Sequence, residues 1–75
     1  MVPRGKINKA IKILTQYARL AEKFGIRLSP KRLEELNRLR DAGRISTSDL
    51  PGGLLRQFPE ELAGLSLEEI HKLPK

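Results

Sequence analysis

KINKAIKILTQYARLAEKF, from Lys6 to Phe24, reads as one amphipathic helix with two unlike faces. At about 100° per residue, Ile7, Ala10, Ile11, Ile13, Leu14, Tyr17, Ala18, Leu20, Ala21 and Phe24 share one half of the cylinder. Lys9, Lys12, Gln16, Arg19 and Lys23 line the other half. The rod is expected to be about 28 Å long, with an apolar side about 180° wide, where an ordinary surface helix needs a stripe of about 100°. Two further elements, or a second copy of the chain, must cover it. The cationic side supports a binding role only if the rod is unbroken and its lysines face outward.

Before this stretch, Val2-Pro3-Arg4-Gly5 has no apolar period and resembles the core of a thrombin-recognition linker, so residues 1–5 are read as a frayed, vector-derived lead-in and residues 6–75 as one helical domain. After it, Gly25 supplies the left-handed residue that commonly ends a helix. Ser29-Pro30 opens a second helix: Ser29 as N-cap, Pro30 where its missing N–H costs nothing, and Leu28 placed to pack on Leu33. Leu33, Leu36 and Leu39 form its apolar stripe, Glu34 and Arg38 an i,i+4 pair on its outer side, and Gly43 its end. Together the two helices make an antiparallel hairpin.

Beyond Gly43 the segments are short. Ser46 and Asp49 have capping spacing, Pro51-Gly52-Gly53 interrupts any helix, and Pro59 starts a turn that Gly64 stops. Ser66 and Glu69 form a full capping box, with Leu65 stapled to Ile70, for a last helix from Leu67 to Leu73 ended by Pro74. Ile45, Leu50, Leu54, Leu55, Phe58, Leu62, Leu65, Leu67, Ile70 and Leu73 are expected to pack against the wide face. No run alternates long enough for a strand. The expected fold is all-α: a long N-terminal helix in a helical hairpin, followed by two or three short helices.

Composition narrows the function. The chain has 75 residues, no Cys and one His, which leaves no disulfide and no credible zinc site. No apolar run approaches the roughly 20 residues that span a bilayer, and no targeting segment is visible, so the default compartment is the cytoplasm. The net charge of +6 is unevenly placed: residues 1–44 carry +8 and residues 45–75 carry −2. Such asymmetry points to nucleic acid, an acidic protein surface or an anionic membrane as partner.

Lys9, Lys12, Arg19 and Lys23, extended by Arg27, Lys31 and Arg44, are the candidate binding residues, since charges about 5–6 Å apart along a helix can follow a phosphate backbone. The same residues are also the ordinary solvated face of a helix whose other face is core. No aromatic is interleaved for stacking, so contact with nucleic acid should be largely independent of sequence. A helix-turn-helix reading of the second helix fits poorly, because Glu34, Glu35 and Asp41 lie among its donors Arg32, Asn37, Arg38 and Arg40. His71 is the one side chain titrating near neutral pH by default, and so the candidate acid or base; a ribonuclease site would combine it with Arg56, Glu60 or Glu61. A His in a last helical turn also meets the negative end of the helix dipole, a purely structural role. The carboxylate pairs Glu60-Glu61 and Glu68-Glu69 sit in first turns, where acids are expected anyway. No dinucleotide fingerprint, phosphate loop or Ser/His/Asp arrangement is present, and no cofactor or metal is expected.

ISTSDLPGGLLRQFPEELAGLSLEEIHKL, from Ile45 to Leu73, resembles segments near the C-terminus of bacterial polymorphic toxins. Asp49-Leu50-Pro51, Phe58-Pro59, Gly64 and Leu67-Glu68-Glu69-Ile70 carry the likeness. It implies a secreted effector whose tip attacks nucleic acid and is neutralised by an immunity protein, and it assigns no catalytic residue. The expectation is a small basic binding module for nucleic acid or another polyanion; the alternatives are a fragment of a toxin-type nuclease and a helical oligomerisation or protein-interaction domain.

Overall fold

The expected rod is built in two pieces. In the computed structural model, which describes residues 2–73, α1 (Arg4–Thr15) and α2 (Tyr17–Lys23) are separated by Gln16 at φ −109°, ψ 22°. Two hydrogen bonds account for the break. Thr15 Oγ1 donates back to the Ile11 carbonyl at 2.7 Å, a bond that bends helices. Arg40 Nη1, from the far end of the next helix, donates to the Thr15 carbonyl at 3.2 Å and holds it away from the helical ladder. Either side of the break the ladder persists, Gln16 N to Lys12 O at 2.9 Å and Leu20 N to Gln16 O at 3.0 Å. The result is a kink, and the single rod from Lys6 to Phe24 is corrected accordingly.

The helix also starts earlier than expected. Arg4 and Gly5 belong to α1, the Pro3 carbonyl accepts from the Lys6 and Ile7 amides, and Val2 packs against the core. At the other end Phe24 lies past α2 and is 39% exposed rather than buried.

Gly25, at φ 73°, turns the chain out of α2 while its N–H donates to Glu22 O and that of Ile26 to Ala21 O, satisfying carbonyls that a helix end leaves orphaned. α3 (Pro30–Asp41) then opens as expected, Ser29 Oγ accepting from Arg32 N at 3.2 Å. It runs back beside α2, so that Leu36 and Arg40 come to rest against Leu14, Thr15 and Tyr17. The hairpin is present with its first arm bent. Arg32 pairs with Glu35 and, across the fold, with Asp49; the expected Glu34–Arg38 pair is not formed among the described residues.

The second half closes over α1 through α4 (Gly52–Leu55), α5 (Leu67–His71) and single 3-10 turns at Thr47–Asp49 and Glu60–Leu62. Gly52 and Gly53 enter α4 instead of interrupting it, with the Pro51 carbonyl accepting from the Leu54 and Leu55 amides. A one-turn helix sends adjacent side chains about 100° apart. Leu54 therefore reaches the core while Leu55 stays 43% exposed, against expectation. The Ser46–Asp49 cap makes one arm, Ser46 N donating to Asp49 Oδ2 at 3.1 Å, while the Ser46 hydroxyl meets that of Ser48.

α5 has every first-turn amide satisfied. Leu67 N donates to Ile45 O, Glu68 N to Gly43 O and Glu69 N to Ser66 Oγ, while the Glu69 carboxylate accepts from Ser66 N. The segment 43–45 is thereby stitched to the start of α5, and α5 makes the most extensive contact with α1. Ile7 and Leu14 of α1 and Ile70 of α5 are fully buried, alongside Ile45, Leu54 and Leu62. Pro74, expected to stop the last helix, lies outside the described residues. The described residues contain helices and no strand, which makes this a small all-α domain.

Candidate polyanion-binding surface

The kink divides the expected cationic row. Lys9 and Lys12 stand on α1, Arg19 and Lys23 on α2, Arg27 in the link to α3 and Lys31 in the first turn of α3, so there is no single straight track. All six side chains are exposed, and none takes part in an ion pair among the described residues. Arg44 is exposed and unpaired in the same way. Of the two conditions on the binding role, the unbroken rod fails, and the straight cationic track along one helix is withdrawn with it; the condition of outward lysines is met, leaving exposed charge as the remaining support.

Several acids lie on other cations or on caps. Glu61 meets Lys6, Asp49 meets Arg32, Glu68 meets Lys72, and Glu69 caps α5. Lys6 is consequently lost to the basic surface, tied instead to the turn at Glu60–Leu62. A hydrogen bond from its ammonium first, then a backbone hydrogen bond, and last the charge of Lys6 hold the Glu61 carboxyl below its ordinary value. A lowered folded-state value means the pair stabilises the fold above the unfolded-state pKa and is lost as pH falls through the folded one. Lys6→Met is therefore expected to raise the Glu61 pKa towards its ordinary value, read by NMR titration. An unchanged titration would dissolve the pair.

Two depressions concern the site. An open groove of about 610 Å³ runs between α2 and the link to α3, bringing Arg19 and Arg27 together across Ala18, Leu28 and Leu33, with Glu22 beside them. A smaller one of about 260 Å³ at the kink is shared by Arg19 and Arg40, a cation that entered the sequence reading only as a donor of the second helix. Its position became visible only once α3 was folded back.

His71 is exposed in a separate hollow lined also by Arg40, Asp41, Glu68 and Lys72. Arg56, Glu60 and Glu61 do not line it, so the ribonuclease constellation is not brought together. Tyr17 is buried, which pushes its hydroxyl above the ordinary value, with Arg32 opposing and Asp49 reinforcing. It stays neutral and serves packing. Among the described residues no three His, Asp or Glu side chains cluster in a way that could hold a metal, and no helix is long and apolar enough to cross a membrane. Comparison with protein-family models, curated proteins and solved structures gives no match.

Proposed function

We propose, from exposed charge alone and no longer from a continuous rod, that the chain is a polyanion-binding module whose contact surface is the bent, cationic outside of α1, α2 and the start of α3. The supporting observation is that Lys9, Lys12, Arg19, Lys23, Arg27 and Lys31 are all exposed and outside every described ion pair, while Asp49, Glu61 and Glu68 are engaged by other cations. Phosphates are the natural counter-charge, because neutralising them releases condensed cations from the nucleic acid. Of the three aromatic side chains, Tyr17 and Phe58 are buried, which leaves little for base stacking and favours binding without sequence preference.

Binding of a random-sequence duplex, followed by fluorescence anisotropy, is expected to weaken steeply with salt. Six phosphate contacts correspond to a slope of about −5 in log K against log salt, and each contact removed lowers it by about 0.9. Lys9→Gln with Lys12→Gln should therefore flatten the slope by about 2. No binding at low salt, or a slope indifferent to that double substitution, defeats the proposal.

A further inference from the structure

The groove between α2 and the link to α3 differs from the rest of the basic surface in having an apolar floor. Ala18, three residues before buried Ala21, is too small to fill the space in front of Ile26, Leu28 and Leu33. All three of those side chains are only partly buried, although Ile26 and Leu28 pack against the core cluster. Arg19 stands on one side and Arg27 on the other, both exposed and unpaired among the described residues. Glu22 is the one acid lining the groove.

We infer that this groove seats an amphipathic acidic helix from a partner protein, its apolar side chains over Ala18 and Leu28 and its carboxylates on Arg19 and Arg27. Charge complementarity selects that occupant: apolar anchors at helical spacing match the floor, and flanking Asp or Glu match the two guanidinium groups. A phosphate backbone meets only the rim and leaves the floor wet. The chain's own acidic second half does not fill the groove, whose lining among the described residues ends at Leu33. This assignment goes beyond polyanion binding and shares with it only Arg19 and Arg27; Lys9 and Lys12 lie outside the groove.

The test uses the full chain and a labelled synthetic helix of about 15 residues, with Leu at i, i+3, i+4 and i+7 and Glu at the flanking positions. Ala18→Trp, which fills the groove, is expected to weaken probe binding at least about tenfold while leaving duplex binding unchanged. Glu22→Gln is expected to tighten the probe about threefold, and it carries the test if circular dichroism shows that Ala18→Trp disturbs the fold. A probe with every Leu changed to Ser should bind at least about tenfold more weakly. Equal binding by the Ser probe would reduce the interaction to charge alone and overturn the assignment, as would absence of probe binding. Loss of duplex binding with the probe still bound would remove the polyanion proposal and leave this one standing.

Discussion

Ile70→Ala is expected to bring the domain close to its unfolding midpoint at room temperature. Ile70 is fully buried on α5, the element in most extensive contact with α1, and shares the core with Ile7 and Leu14. Removing its branched side chain leaves a cavity, and such changes cost about 2–5 kcal/mol. A chain of this size, without disulfide or metal, has a margin of about 3–5 kcal/mol. Urea denaturation followed at 222 nm should show the midpoint falling towards zero denaturant. Leu55→Ala is the matched control: at 43% exposure it should shift stability by no more than about 0.5 kcal/mol. A cost below about 1 kcal/mol for Ile70→Ala would mean that α5 does not close the core.

Gly43→Ala combines two penalties at one atom. The residue has φ 72°, where a side chain costs about 1–2 kcal/mol, and an added Cβ would lie 3.1 Å from Glu68 Cβ. Relieving that contact must stretch the 3.0 Å bond from Glu68 N to the Gly43 carbonyl, which caps α5. The expected total is about 2–3 kcal/mol. Gly25→Ala separates the terms, because Gly25 has nearly the same φ, 73°, with nothing within 4 Å of an added Cβ. It should lose only the conformational part. Equal costs at the two positions would show that the approach of residue 43 to α5 contributes nothing.

What was readable in the chain was written locally. Ser29-Pro30, the Ser66–Glu69 box and the left-handed glycines at 25 and 43 each act within a few residues, and each sits where its chemistry required. The kink was not local. Thr15 sits inside an unbroken apolar period, and the group that captures its carbonyl belongs to Arg40, 25 residues away. Phe24 and Leu55 were misassigned for a similar reason: periodicity describes an endless helix, whereas Phe24 lies past an end and Leu55 on a single turn. The six candidate cations were legible as exposed charge, but their division between two helix axes and the link was not. The groove that unites Arg19 with Arg27 needs Leu28 and Leu33 brought under them, which only the folded hairpin does.

The stitching of 43–45 to α5 bears on how the molecule opens. Five residues are far too few for an autonomous helix. The amides of Leu67 and Glu68 find their acceptors only at Ile45 and Gly43, more than twenty positions upstream. Pulling the 43–45 segment away therefore strips two first-turn acceptors from α5 at once. Hydrogen exchange at Leu67 and Glu68 should run at the same slow rate as at the innermost positions of α1, marking the domain as a single cooperative unit despite its patchwork of one-turn pieces.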